Sequence, residues 1–118
     1  MNKQELGKYG ENIAVAYLES AGYGIIDRRF TTSSGEIDIV ARNEQALIFV
    51  EVKSRSSYEF GHGAEAIGPL KLERMKVCFL EWIRARNVKT SLELRLDLIS
   101  ILIEEGKSPY LEHFEAVS

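Results

Sequence analysis

Two carboxylates and an ammonium stand where an apolar sheet is expected. The segment Gly35-Glu36-Ile37-Asp38 is followed, after a short turn, by Phe49-Val50-Glu51-Val52-Lys53. Ile37 and Ile39 flank Asp38, and Val50 and Val52 flank Glu51, so both acids lie inside segments that read as buried strands. A buried, unpaired carboxylate is strongly unfavourable or takes up a proton. A chain that keeps two of them must bring them a counter-charge, and a divalent cation is the first candidate.

The register follows from the turn. Residues 36–42 and 46–53 read as strands about a turn centred on Glu44-Gln45, beside Asn43, a favoured turn residue. A symmetric antiparallel hairpin then sets Asp38 opposite Glu51, and Glu36 opposite Lys53. Directly opposed residues share a face, their Cβ atoms about 4.5–5.5 Å apart. Period-two alternation puts Asp38, Glu51 and Lys53 on one face. An all-oxygen site of this kind suits Mg²⁺ or Mn²⁺. A one-residue bulge would send Asp38 to the other face and dissolve the site.

The length of 118 residues predicts a single domain over 1–118, large enough for a core without staples. No apolar run approaches about 20 residues, so no membrane span is expected. The start, Met1-Asn2-Lys3-Gln4-Glu5, is polar and helix-like rather than a signal peptide. One cysteine, Cys78, cannot form an internal disulfide; a reducing, cytoplasmic setting and a small buried core residue are expected. One Cys and two distant His exclude a Cys/His zinc site. The net charge of −3 argues against a strong nucleic-acid binder, which usually carries a basic surface. A local basic lip suffices for an enzyme, and Lys53, Arg55, Arg28, Arg29, Lys71 and Arg74 are its candidates.

Along the chain, residues 3–21 read as a helix, stopped by Gly22. Gly7 and Gly10 inside it each cost about 1 kcal/mol relative to Ala; close approach to a neighbour, or early fraying, would account for them. Glu11 lies at the edge of the apolar helix face, where it reaches over the sheet edge. Residues 23–30 read as the first strand, and residues 54–68 as irregular, a flap beside the site. Gly68-Pro69 opens a second helix that runs to Asn87. Residues 92–103 and 110–114 read as strands. The long connection through 54–91 lets strand 92–103 lie parallel to its neighbour. The fold class is therefore α/β, a mixed five-stranded sheet flanked by helices in the order α-β-β-β-α-β-β.

With these residues in place the chain resembles the PD-(D/E)XK nucleases, whose restriction-endonuclease-like core has the order α-β-β-β-α-β. More closely, it resembles uncharacterised protein family 0102, the YraN-type proteins, described as predicted endonucleases related to archaeal Holliday-junction resolvases. The markers are Gly7-Lys8-Tyr9-Gly10-Glu11, Gly22-Tyr23, Gly35-Glu36-Ile37-Asp38, Phe49-Val50-Glu51-Val52-Lys53 with Arg55, Phe60-Gly61, Lys71, and Arg95-Leu96-Asp97. The resemblance implies that Asp38, Glu51 and the Val52 carbonyl ligate metal, that Lys53 is the catalytic lysine, and that Glu11 joins the metal site. It implies DNA as the partner, and it allows a homodimer because resolvase relatives cut two strands symmetrically. The chain departs from the family's usual Arg-Asn after the first strand, carrying Arg28-Arg29 instead.

Each residue also has a plainer reading. Asp38, Glu51 and Lys53 together would form a structural ion cluster. Glu11, Lys71 and Arg74 would be solvated helix residues, and Arg95 with Asp97 a cross-strand ion pair. His62 and His113 read as incidental; Met75, Phe79 and Trp82 read as core. Three functions stay open: a metal-dependent DNA endonuclease selective for branched or damaged DNA, a non-cleaving module that binds nucleic acid or a DNA-processing protein, and a small-molecule phosphoesterase.

Overall fold

The computed structural model describes residues 1–56 and 68–117. Helix α1 spans Lys3–Ser20, and the Asn2 side chain caps it by accepting the Glu5 N–H at 2.8 Å. Gly22, at φ 94°, turns the chain away in the left-handed region that favours glycine. Strands β1 (Gly24–Thr32), β2 (Gly35–Arg42) and β3 (Ala46–Arg55) follow, then helix α2 (Pro69–Ala85) and strands β4 (Glu93–Leu102) and β5 (Tyr110–Phe114). The order is the one expected, with boundaries within two residues. The irregular stretch expected over 54–68 begins later, because β3 continues through Arg55; its residues 57–67, with Phe60-Gly61 and His62, lie outside the described residues.

The sheet order is β1-β2-β3-β4-β5. Pairs β1/β2, β2/β3 and β4/β5 are antiparallel, and β3/β4 is parallel. Parallel neighbours need a crossover, and the stretch carrying α2 supplies it. The turn between β2 and β3 is held by Asn43, whose Oδ1 accepts the N–H groups of Gln45 and Ala46 at 2.9 and 2.8 Å.

Helices cover both faces. Ala14 and Leu18 of α1 pack on Ile39, Ala41, Ile48, Val50, Ile99 and Ile101. Cys78, Phe79 and Trp82 of α2 pack on Ile37, Val40, Leu47, Phe49 and Leu96. The run Ala46–Val50 is buried throughout because β3 lies between two strands and under both helices, so alternate residues feed the two cores. Each fully buried large apolar side chain contributes roughly 1.5–3 kcal/mol. Cys78, Phe79 and Trp82 are core as expected, and Met75 packs at its edge.

Candidate metal centre

The β2–β3 ladder runs from Arg42–Leu47 to Ile39–Val50 and stops there. Beyond it, β2 stays paired to β1 as far as Gly35, and β3 stays paired to β4 as far as Arg55. The two central strands fork while each keeps its outer neighbour. Continuing the register sets Asp38 and Glu51 at facing positions, as the turn predicts, with no bulge between. They stand in the mouth of the fork, joined by no backbone ladder. Val52 N–H, which would have bonded across the ladder, donates to Asp38 Oδ2 at 2.8 Å instead. A strand residue's N–H and C=O point to the same side, so the Val52 carbonyl also faces the opening. The expected opposition of Glu36 and Lys53 does not occur: Glu36 pairs with Thr31 of β1, because the strands have already parted.

Asp38 also marks a rollover of β2. Residues two apart normally share a face, yet Ile37 packs under α2 and Ile39 under α1. Across from this point, between the pairs Arg28–Ile39 and Phe30–Ile37, Arg29 adopts φ 53°. Asp38 therefore lines clefts on both sides. One it shares with Glu51, Met75 and Cys78; the other, about 590 Å³, with Glu11, Arg29 and Val52. A water molecule occupies about 30 Å³ in the liquid, so the larger cleft has room for a hydrated ion together with a phosphate.

Glu11 reaches this place because α1 crosses β3 at close range. A Cβ on Gly10 would run into the Ser54 side chain, so any larger residue there would force that side chain to move. Gly7 faces open space and shows no such constraint. Glu11 is 6 % exposed, and both of its oxygens are engaged: Arg28 Nε donates to Oε1 at 3.1 Å and Arg29 Nε to Oε2 at 2.7 Å. Neighbouring strand residues ordinarily point to opposite faces. The left-handed backbone at Arg29 brings its side chain back to the carboxylate that Arg28 holds.

Glu51 is held by Lys71 of α2, Nζ to Oε1 at 3.1 Å. Asp38 has no cationic partner among the described residues. Burial, then the charge of Glu51, push its pKa up to about 7; the Val52 N–H works against this, and Glu11 and Glu36 add to it. The three acids are thus near one another without closing into a tight ligand set. Two are held by protein cations, and the third has, among the described residues, one N–H. The three carboxylates and the Val52 carbonyl offer only oxygens, which fits a hard ion such as Mg²⁺ or Mn²⁺; Met75 and Cys78 also line the α2-side cleft, Cys78 as a buried core residue.

The remaining candidates fall around this centre. Lys53 alternates with Glu51 along β3, beside Ser100 of β4, and makes no ion pair among the described residues. Arg55 ends β3. Lys71 and Arg74 line a smaller cleft with Glu36 and Glu51 on the α2 side, while Lys3, Lys8 and Arg29 line the α1 side. The periodicity of α2 placed Lys71 and Arg74 near the site but carried no signal that Lys71 would reach Glu51.

A second acidic group lies lower on the α1 face of the sheet. Asp97 is 0 % exposed and accepts four hydrogen bonds: two from Arg95 at 2.9 Å, one from Ala116 N at 3.0 Å, and one shared with His113 Nε2 at 2.7 Å. His113 Nδ1 in turn meets Tyr17 Oη at 2.9 Å. Asp97, His113 and Glu115 have the spacing of a ligand set. A carboxylate offers about four lone-pair positions, and those of Asp97 are taken, so this is a structural network. Arg95 and Asp97 pair as expected, but along one strand rather than across two. His113 is a buried member of the network and not incidental; a lone His gave no signal of that.

The model of a family described as uncharacterised protein family UPF0102 matches residues 10–101. A UPF0102 protein of Pseudarthrobacter chlorophenolicus is 42 % identical over 116 residues, covering 98 % of this chain and 87 % of its own length. One from Renibacterium salmoninarum is 41 % identical over 115 residues, 98 % of this chain and 97 % of its own. One from Syntrophomonas wolfei is 40 % identical over 108 residues, 92 % of each. On the match over nearly its whole length, the chain belongs to the uncharacterised protein family UPF0102.

Proposed function

We propose that this protein is a metal-dependent endonuclease that hydrolyses phosphodiester bonds in DNA. The observation that carries the reading is Asp38: a partly buried carboxyl at the mouth of a strand fork, beside Glu51 and Glu11, with one N–H as its hydrogen-bond partner among the described residues. Asp38, Glu51 and the Val52 carbonyl would hold Mg²⁺ or Mn²⁺, with Glu11 as an outer acid. The bound ion supplies Lewis acidity and acidifies water. Lys53, two residues beyond Glu51, orients the attacking water or meets charge developing on the phosphate. Lys71, Arg74, Arg28, Arg29 and Arg55 form the basic rim that positions the DNA backbone.

The test is cleavage of supercoiled, branched and flapped DNA with Mg²⁺ and with Mn²⁺. Wild type should cut, and Lys53→Ala should lose about two to three orders of magnitude in rate, the range for removing one charge-stabilising group. No cutting of any substrate, or equal cutting by the variant, rejects the reading. One observation favours a second reading, a non-cleaving module that binds nucleic acid or a DNA-processing partner. Glu11 and Glu51 are already neutralised by the protein's own cations. Stoichiometric capture of one protein partner, with no cleavage and no ion binding, would select it.

A further inference from the structure

The cations around the fork are not equivalent. Arg28 is anchored twice: its Nε bonds Glu11, and its Nη2 bonds Asn12 Oδ1 at 2.6 Å. Among the described residues, the hydrogen bond and ion pair of Arg29 go to Glu11 alone. Lys71 has one ion pair among the described residues, to Glu51. The side chains of Arg29 and Lys71 are 45 % and 38 % exposed, while those of the acids they hold are nearly buried, at 8 % and 11 %. They come from opposite sides of the fork, Arg29 from β1 and Lys71 from α2.

Building on the metal reading, we infer that Arg29 and Lys71 are exchangeable counter-ions, released to bind nucleic-acid phosphates when a divalent cation takes Glu11 and Glu51. A doubly charged ion at Asp38 repels the guanidinium and the ammonium on either side and competes for the same oxygens. Both side chains are long and half in water, so each swings out without disturbing the core. Arg28 stays, because Asn12 still holds it. Ion binding thus converts two internally neutralised cations into two phosphate contacts, one on each side of the fork. By reciprocity, nucleic acid bound there tightens the ion.

Two measurements test this. In the first, wild type with ¹⁵N-labelled arginine is titrated with Ca²⁺, without DNA, while calorimetry follows ion binding. The Arg29 Nε–H signal should shift as the Glu11 bond breaks, and the Arg28 side chain should keep its Asn12 contact. In the second, anisotropy of a fluorescein-labelled duplex and of a four-way junction is read against salt, in Ca²⁺ and in EDTA. The slope of log K on log salt should steepen in Ca²⁺ by about 1.8, near 0.9 per released counter-ion. Arg29→Met and Lys71→Met should each remove about half of the difference between the Ca²⁺ and EDTA slopes, and Arg29→Lys should restore it. Ion binding with an unmoved Arg29 signal, or equal slopes in Ca²⁺ and EDTA, overturns the exchange alone. No ion binding overturns both the exchange and the metal reading.

Discussion

Asp38 and Asp97 are aspartates on neighbouring parts of one sheet, and the protein treats them in opposite ways. Asp97 is wholly buried, yet Arg95, His113 and Ala116 saturate it. Burial pushes its pKa up, but the hydrogen bonds from His113, Arg95 and Ala116 outweigh that and hold it below the usual range. Asp38 is less enclosed and far worse off, because its neighbours are acids and its one hydrogen bond among the described residues comes from Val52. Depth of burial therefore does not separate a structural acid from a functional one; the supply of partners does. A carboxylate left short of donors beside like charges destabilises the free protein, and a ligand that brings positive charge removes that cost.

The comparison predicts changes of opposite sign. Asp97→Ala leaves Arg95 and His113 facing a buried gap and should destabilise by about 3–5 kcal/mol, read by urea unfolding at neutral pH. A cost below about 1 kcal/mol would show the network to be dispensable. Asp38→Asn should do the reverse, stabilising the metal-free protein at pH 8 by roughly 2–4 kcal/mol. The sign follows from the raised pKa. Between about pH 4 and 7 the folded Asp38 keeps a proton that the unfolded chain has lost, so wild-type stability falls as pH rises through that window. The variant should lack this slope, and unfolding midpoints across pH 4–8 check it.

Mn²⁺ at about a hundred times its dissociation constant should restore roughly 2.7 kcal/mol to wild type and little to Asp38→Asn, by thermal unfolding with and without chelator. Ion stabilisation that Asp38→Asn leaves intact would move the ion elsewhere. The smallest effect is expected at Arg29. Asn tolerates its left-handed backbone better, worth about 1 kcal/mol, while the half-exposed ion pair it gives up is worth about 0–1 kcal/mol. Arg29→Asn should thus change stability by less than about 1 kcal/mol, and a loss of several would mean that the Glu11 pair holds the fork shut.

Much of this was legible in the chain. Helical spacing in residues 3–21 and 69–87, alternation in the hairpin, Asn43 at the turn and Pro69 at a helix start follow from local backbone geometry, which nearby residues determine on their own. So does the register that sets Asp38 toward Glu51, because a hairpin's turn fixes its pairing. The oddity of Gly10 was visible too, though not the Ser54 hydroxyl that explains it.

Tertiary structure alone decided that the ladder ends at Ile39–Val50, since a fork depends on what each strand pairs with on its outer side. It decided the left-handed turn at Arg29, which periodicity does not encode. It also decided who pairs with whom: Lys71 rather than Lys53 with Glu51, and His113 rather than solvent with Asp97. Those pairings join residues far apart in sequence, and the direction a long side chain takes is settled only when helix and sheet have packed. The sequence by itself determined where the charges lie along the strands; packing determined which of them are already neutralised.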